Sequence, residues 1–211
     1  MFDSIAPRYD LLNRVLTLGR DVAWRRRAVA SLSLEPGALV LDVACGTGDL
    51  CRDLGRAGYV AVGFDFSAGM LARAHAGAPL VQADALALPV GDRRALGVTC
   101  GFALRNVADI GLLFDEFARV LRSGGRLAVV ETGEPRSPLL RAGHRVYFRR
   151  LVPVIGGLLS DREAYEWLPR SSAYLPPPQA LVEMLCKRGF ADVGVRSLGL
   201  GAAQLITGTR A

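Results

Sequence analysis

A glycine-rich turn between a short apolar strand and a helix restricts the fold of this 211-residue chain more than any other feature. Residues 41–49 read LDVACGTGD, and the apolar residues before the glycines predict a short buried strand. Gly46 and Gly48 allow the backbone to turn sharply and to approach a ligand where a Cβ would collide. Asp65 ends the next apolar strand, within GFDFS at 63–67. This arrangement predicts a nucleoside site in which Asp65 accepts hydrogen bonds from two ribose hydroxyls.

The residues around the turn distinguish between two classes of nucleotide cofactor. Dinucleotide enzymes need a third glycine three residues after the second, and Cys51 occupies that position here. Asp49, in the first turn of the predicted helix, would repel a pyrophosphate but suits a cationic ligand. A second acid, Asp84 in QADALALP at 82–89, follows another short strand and is expected to recognise the adenine amino group. Together these features predict S-adenosylmethionine, whose sulfonium is positive, as the cofactor.

Short apolar strands alternate with amphipathic helices along the chain. Strands are predicted near 38–43, 60–64, 79–82, 96–102, 126–131, 191–197 and 203–209, and helices at 49–57, 67–76, 109–122 and 178–188. This alternation predicts an α/β fold with a mostly parallel, seven-stranded sheet and helices on both faces, as in Rossmann-like class I methyltransferases that use S-adenosylmethionine. Ligands of such sheets bind beyond the carboxyl ends of the strands. The glycine turn, both acids and the segment after Gly101 are expected there.

The chain length favours one domain, 1–211. It would begin with an N-terminal helical segment, 1–30. Residues 137–178 interrupt the βα alternation and are too long for an ordinary connection in a compact domain. They are expected to form a helical cap over the mouth of the pocket.

Composition limits the other functional classes. The four cysteines show no paired CxxC spacing and the chain has only two histidines, which predicts a reduced cytosolic protein with no structural metal. The formal charge of +6 comes from scattered basic residues that match no nucleic-acid module, so no nucleic-acid partner is expected. The arginines at 25–27 are interpreted as a solvated face.

A basic stretch at 141–150 precedes the apolar run LVPVIGGLL at 151–159. This pair of segments suggests transient contact with anionic lipid at the inner face of the cell membrane. The apolar run is about half the roughly 20 residues that a spanning helix requires, and the N-terminus lacks the pattern of a signal peptide. Two alternatives stay open: the same apolar residues could pack the cap onto the domain or form the face of a homodimer.

Several blocks of sequence resemble one enzyme family. The blocks are FDSIAPRYDLLNRVLTLGRDVAWRR (2–26), LDVACGTGD, GFDFSAGML (63–71), GFALRNVAD (101–109), ARVLRSGGRLAVVE (118–131) and AYEWLPRSSAYLPPPQALVEML (164–185). Together they look like the quinone-biosynthesis C-methyltransferases that act on demethylmenaquinol and on polyprenyl benzoquinols, over nearly the whole chain. Two features depart from the family: relatives commonly carry a short extension before the first block, and Ala103 replaces a usual glycine.

The resemblance implies methylation of a ring carbon of an isoprenoid hydroquinone. Arg105 would stabilise the developing phenolate while a bound water takes the proton, because an arginine stays protonated in proteins. Asn106 would orient the hydroxyl or the water. The alternative role for Arg105 is a salt bridge to an acid such as Asp109.

The resemblance also supplies ligand-binding positions. It places cofactor contacts at Thr47, Asp65, Asp84 and Ala85. The predicted cofactor-binding set also includes Phe66 and the two glycines of the turn, Gly46 and Gly48, which supply its geometry. Ser67 could simply cap the next helix. Tyr9, Asp10 and Tyr165 are candidate substrate contacts, with core packing or capping as their alternative roles.

The substrate itself is less narrowly defined. Enzymes of the benzoquinol branch of the family more often have serine at the position of Gly101. By this resemblance, Gly101 and the short chain favour demethylmenaquinol as the substrate and menaquinol as the product. A polyprenyl benzoquinol, or another phenol or sterol, remains the alternative. A base-modifying N-methyltransferase typically carries Asn/Asp-Pro-Pro-aromatic after the fourth strand. Residues 102–106 of this chain read FALRN instead, which argues against a nucleic-acid base or a glutamine amide as the substrate. A non-enzymatic scaffold is disfavoured because the cofactor-binding set is complete.

Overall fold

The computed structural model describes residues 9–135, 137–146 and 175–211. The strands are β1 Leu39–Val43, β2 Val60–Asp65, β3 Leu80–Gln82, β4 Ala95–Gly101, β5 Leu121–Thr132, β6 Phe190–Leu198 and β7 Ala203–Arg210. The helices are α1 Tyr9–Leu16, α2 Arg20–Leu32, α3 Asp49–Arg56, α4 Ala68–Leu71, α5 Ile110–Val120, α6 Pro138–Val146 and α7 Pro178–Cys186, with 3₁₀ turns at Leu104–Asn106 and Gly199–Gly201.

The strands form one seven-stranded sheet in the order β3-β2-β1-β4-β5-β7-β6. The first five strands of this order pair in parallel, and β7 runs antiparallel to both β5 and β6. The predicted mostly parallel sheet is therefore confirmed. Strand β1 has β2 on one side and β4 on the other, so the strand order reverses between β1 and β4. A reversal of this kind opens a crevice beyond the carboxyl ends of the two strands.

Helices cover both faces of the sheet, and β5 shows how its side chains divide between them. Leu127 and Val129 point to the face that packs against α5 and α7, with Phe114, Phe117, Leu181 and Leu185. Ala128 and Val130 point to the opposite face, which packs against α2 and α3 with Trp24, Val29, Leu32, Leu50 and Leu54. Successive residues of a strand alternate between faces, so one apolar strand contributes to two cores.

The prediction of a helix at 67–76 is wrong in its extent, because α4 ends at Leu71. Ser67 caps it as expected, accepting a hydrogen bond from the Met70 N–H at 3.1 Å. Beyond α4 the chain crosses to the glycine turn, where the His75 N–H donates to the Thr47 carbonyl at 3.0 Å. Contact with the glycine turn therefore overrides the local helical preference of these alanine-rich residues.

Strand β5 begins earlier than the predicted residue 126. Leu121 already pairs with Ala95, and a register shift follows between Ala95 and Gly97. The SGG turn therefore lies within the strand as an irregularity.

The predicted flanking segments are covered to different degrees. Helices α1 and α2 occupy most of the predicted N-terminal helical segment. Helix α6 and the start of α7 fall within the predicted cap, whereas residues 136 and 147–174 lie outside the described residues. In the ranges that are described, no helix combines the length and the hydrophobicity needed to span a membrane.

Candidate active site

The glycine turn connects β1 to α3 through backbone conformations that favour glycine. Gly46 and Gly48 both have positive φ angles, of 56° and 82°. A Cβ on Gly48 would lie 2.4 Å from the Cβ of Ala76, whereas a Cβ on Gly46 would meet no atom within 4 Å. The sequence predicted that such a Cβ would obstruct a ligand. At Gly48 the obstruction comes instead from the chain segment that packs behind the turn.

Asp65, at the end of β2, links the turn to the next helix. One of its carboxylate oxygens accepts from the Gly46 N–H at 2.7 Å, and the other accepts from the Ser67 N–H at 2.8 Å. Both bonds are to backbone groups and fix the orientation of the carboxylate at the strand edge. A carboxylate oxygen can accept more than one hydrogen bond, so this geometry is compatible with the predicted contact to a ribose.

Asp84 follows β3 on the same edge of the sheet. Its side chain accepts from the Leu86 N–H at 2.9 Å, which forms an Asx turn. The Ala83 N–H donates to the Asp65 carbonyl at 3.0 Å, so the two acids lie on neighbouring, hydrogen-bonded segments. Asp84 is exposed, which leaves it accessible to a ligand.

These elements surround a pocket of about 280 Å³. Of the predicted site residues, the pocket brings together Gly46, Asp65, Phe66, Asp84, Ala85 and Asn106. The remaining lining residues, which are mostly apolar, are Ala44, Phe64, Met70, Ala83, Leu86, Gly101, Phe102, Ala103, Val107 and Ala108. Apolar walls with a few convergent polar groups are typical of ligand sites, and this volume is close to the lower limit for them.

The predicted residues Thr47, Gly48 and Arg105 do not line this pocket. Thr47 is buried, and its carbonyl holds the segment that follows α4. Helix α1 includes Tyr9 and Asp10, whose side chains lie outside the description, as does all of Tyr165.

The pocket suits the cofactor that the sequence predicted. The apolar surface from Phe66 to Leu86 can receive an adenine, and Asp65 presents a carboxylate for a ribose. The two acids at the pocket, Asp65 and Asp84, make the surroundings favourable for a cation such as a sulfonium. When bound, S-adenosylmethionine supplies an electrophilic methyl group.

Asp42, which the sequence analysis did not single out, lies beneath the glycine turn within β1. It is fully buried and accepts hydrogen bonds from the Thr99 hydroxyl at 2.8 Å and the Cys51 thiol at 3.4 Å. Burial raises the pKa of Asp42 to about 7, although these two hydrogen bonds lower it in part. The nearby charge of Asp65 adds to the increase.

Asp49 has a different role from the one predicted. Arg25 of α2 binds it at 2.8 Å, and Arg52 forms a second ion pair with it. Its charge is therefore compensated by arginines rather than reserved for a cationic ligand. Arg25 also contacts Asp21 at 2.5 Å and Asp53 at 3.3 Å.

The expectation of a solvated arginine face is wrong for Arg25, which is buried, and holds for Arg26 and Arg27, which are exposed. Through its ion pairs, Arg25 connects the N-terminal helix α2 to the helix that follows the glycine turn.

Arg105 and Asn106 occupy the 3₁₀ turn after β4. The Arg105 side chain is mostly buried and forms an ion pair with Glu131, near the end of β5. The proposed partner Asp109 instead caps α5, accepting from the Leu112 N–H at 3.0 Å. Asn106 lines the pocket and donates to the Phe102 carbonyl at 3.3 Å.

Glu131 was missed in the sequence, although an acid at the end of a predicted strand is the same signal that identified Asp65.

Comparison with known proteins agrees with this geometry. The model of the ubiE/COQ5 methyltransferase family matches residues 1–210. The chain belongs to this family. It is therefore a methyltransferase that uses S-adenosylmethionine as its methyl donor, in agreement with the predicted cofactor.

Two relatives of this methyltransferase align with it over its whole length. One, from Thermus thermophilus, is 44% identical over 100% of both chains, and another, from Roseiflexus castenholzii, is 43% identical over 100% of this chain and 92% of its own. Both are named demethylmenaquinone methyltransferase. A solved S-adenosylmethionine-dependent methyltransferase from Thermotoga maritima has a TM-score of 0.70 at 19% identity, covering 100% of this chain and 98% of that one. This likeness confirms the fold.

Proposed function

We propose that the protein methylates a ring carbon of demethylmenaquinol to give menaquinol, the last step of menaquinone biosynthesis. The names of its relatives, at 43% and 44% identity over the whole chain, carry this proposal. The hydroquinone, rather than the quinone, is the substrate, because a ring carbon attacks a sulfonium only when a neighbouring hydroxyl pushes electrons into the ring.

The residues beyond β4 are suited to this chemistry. Ring hydroxyls titrate near the phenol pKa of about 10, so the substrate arrives mostly neutral and needs activation. Arg105 would stabilise the developing phenolate, and Asn106 would orient the hydroxyl or a water. The position of Asn106 in the pocket wall, next to Arg105 in the chain, supports these roles. Each unit by which the site lowers the hydroxyl pKa corresponds to about 1.4 kcal/mol of phenolate stabilisation.

The assignment of cofactor residues belongs to the same proposal. Asp65 would bind the ribose, Asp84 the adenine amino group and Ala85 the adenine through its backbone N–H. Phe66, a mostly exposed aromatic residue at the pocket, would cover the adenine. Thr47 would contact the methionine part, and the two glycines would set the shape of the turn. Tyr9, Asp10 and Tyr165 remain the proposed substrate contacts.

A methyl-transfer assay with labelled S-adenosylmethionine tests the function. We expect chemically reduced demethylmenaquinone to be methylated, and the oxidised quinone to remain unmodified. Arg105→Ala should lower turnover by about 10²-fold or more, as loss of one oxyanion-stabilising group does, with cofactor affinity almost unchanged. The exposed Arg122→Ala is the matched control.

Three results of this assay would contradict the proposal. Equal methylation of the oxidised quinone would rule out activation by the ring hydroxyl. Faster methylation of a polyprenyl benzoquinol, or of another phenol, would show that this compound, and not demethylmenaquinol, is the preferred substrate.

A cytoplasmic enzyme forming one domain, 1–211, with a cap at 137–178, would dock reversibly on the inner membrane face. Leaving the isoprenoid tail in the bilayer avoids roughly 0.8 kcal/mol for every CH₂ that would otherwise be extracted. The candidate docking residues Arg145, Arg149, Arg150, Leu151, Val152, Val154, Ile155, Leu158 and Leu159 lie where the structure describes no side chains.

Sedimentation with anionic vesicles tests this docking. Binding that weakens with salt supports it, whereas equal partition with and without vesicles argues against it. Concentration-dependent dimerisation without vesicle binding would assign the apolar run to a homodimer interface instead.

A further inference from the structure

Glu131 is a fully buried carboxylate near the carboxyl end of β5, at the end of the sheet where the pocket opens. It is the penultimate residue of β5 and is 0% exposed. Its Oε1 accepts three hydrogen bonds: one from Arg105, one from the Thr132 N–H at 2.6 Å and one from the Thr132 hydroxyl at 3.1 Å. One oxygen therefore both holds Arg105 and is fixed by the next residue of the strand.

The other oxygen of Glu131 is in a different situation. Among the residues that the structure describes, none donates a hydrogen bond to Oε2, although this atom is buried. Gln204 of β7 lies opposite Glu131 in the sheet, but its side-chain amide donates to the Thr132 carbonyl at 3.1 Å rather than to Glu131. A buried acceptor without a donor costs about 1–3 kcal/mol, and more when it is charged. This cost is accounted for if a ligand brings the missing donor.

The Glu131–Arg105 pair lies next to the wall of the pocket. Arg105 stands between two lining residues in the chain, Ala103 and Asn106. Phe102, another lining residue, donates its N–H to the Val130 carbonyl at 2.7 Å, which joins the end of β4 to β5 immediately before Glu131. Neither Arg105 nor Glu131 lines the pocket itself, but both are joined to its lining residues, Arg105 through the chain and Glu131 through this hydrogen bond at the preceding residue.

We propose that Glu131 accepts the proton of the substrate's ring hydroxyl through Oε2, directly or through one water, while Oε1 positions Arg105. This inference rests on the proposed function, because it requires a hydroxylated aromatic substrate. It assigns the proton to a residue of the chain other than Arg105. An arginine stays protonated in proteins and therefore does not accept this proton.

The proton and electron balance is complete without another reactant. The hydroxyl proton moves to Glu131, and the ring carbon forms its bond to the methyl group as the sulfur–methyl bond breaks, leaving adenosylhomocysteine. The resulting dienone loses its ring proton to solvent, and Glu131 returns its proton to the oxygen. The net products are the methylated hydroquinone, adenosylhomocysteine and one proton.

The pH dependence of turnover distinguishes this mechanism from ionisation in solution. A hydroxyl with a pKa of about 10 that ionises in solution gives a rate rising about tenfold per pH unit near neutrality. An ionised carboxylate acting as general base removes that dependence, so wild-type kcat should be flat from about pH 6.5 to 8.5. Within the described ranges, the charged and titratable groups that interact with Glu131 are Arg105, its ion-pair partner, and Cys100, whose thiol pKa is raised mainly by burial. The Cys100 thiol should therefore stay protonated in this interval.

Glu131→Gln is the direct test, because the amide keeps an acceptor for Arg105 but takes up no proton. We expect kcat to fall by about 10²–10⁴-fold and its pH profile to rise with pH, while affinity for adenosylhomocysteine is unchanged. A hydroquinone made more acidic by ring halogenation should recover part of the loss. Glu134→Gln, at an exposed acid three residues away, is the control and should behave as wild type. A near-normal rate for Glu131→Gln would overturn the proposal.

A double variant separates the loss of activity from the destabilisation that follows when a buried ion pair is broken. Replacing a buried pair by apolar residues often preserves stability, whereas breaking it costs about 3–5 kcal/mol. Arg105→Met with Glu131→Met should therefore melt near wild type yet stay inactive. Activity retained by this double variant would contradict the proposal.

The wild-type pH profile needs no variant to fold, and a tenfold rise per pH unit would also overturn the proposal. Wild type that fails to methylate any reduced quinone would instead refute the proposed function.

Discussion

Single buried carboxylates determine much of the electrostatics at this site. Asp42 lies within β1, where a strand residue of an apolar core is expected to be apolar, and its burial raises its pKa to about 7. An ordinary aspartate has a pKa of about 3.9. The folded protein therefore binds the Asp42 proton more tightly than the unfolded chain does.

The stability of the protein should respond to this difference. Between about pH 4 and pH 7, Asp42 is protonated in the folded state and ionised in the unfolded chain. Its contribution is fully present below about pH 4 and is lost as pH rises to about 7, by up to roughly 4 kcal/mol. Asp42→Asn removes the titration while keeping an acceptor for Thr99. Urea denaturation at several pH values should show that the variant gains stability relative to wild type as pH rises.

Two comparisons control this experiment. Glu35→Gln, at an exposed acid, should leave the pH dependence as it is in wild type. A constant difference in stability between Asp42→Asn and wild type across this range would mean that Asp42 has an ordinary pKa in the folded protein.

The sequence alone identified some of the acids at the pocket and missed others for physical reasons. Asp65 and Asp84 were identifiable because each follows an apolar strand, and Glu131 carries the same signal at the end of β5. Asp42 had no such signal, because its importance comes from Thr99 on a neighbouring strand 57 residues away. Burial and pairing of this kind depend on the folded sheet.

The elements themselves were predictable wherever local periodicity decides the structure. The seven strands and their alternation with helices follow from apolar patterns that each span a few residues. Helix α4 was overestimated because its alanine-rich continuation favours a helix locally but packs against the glycine turn in the fold. Arg25 was misassigned because a run of three arginines does not reveal which one is buried. Asp21, four residues earlier, was an available signal for an ion pair.

The glycine turn allows a matched prediction at the scale of an element. Gly46→Ala and Gly48→Ala both place a Cβ at a positive φ, which costs about 1–2 kcal/mol. Only Gly48→Ala adds a collision, at 2.4 Å from Ala76. We expect Gly48→Ala to lose clearly more unfolding free energy in urea, measured without ligand so that only packing within the chain contributes. Equal losses would show that the segment after α4 moves away without cost.

At the scale of the whole molecule, the pocket draws on several parts of the sheet. Residues from the loops after β1, β2, β3 and β4 line it, and Arg25 connects α2 to the helix that follows the glycine turn. A ligand that contacts these loops together should stabilise the entire fold, because it binds the folded chain and not the unfolded one.

Thermal unfolding with adenosylhomocysteine measures this coupling. At a concentration of one hundred times Kd, a ligand adds about 2.7 kcal/mol of stability. For a chain of this size each kcal/mol corresponds to about 2–4 °C, so Tm should rise by roughly 5–10 °C. A nicotinamide dinucleotide at the same concentration should leave Tm unchanged, because Cys51 replaces the third glycine of the pyrophosphate-binding fingerprint. An equal rise with both ligands would mean that the pocket recognises an adenosine in general, and that its acids do not select the methyl donor.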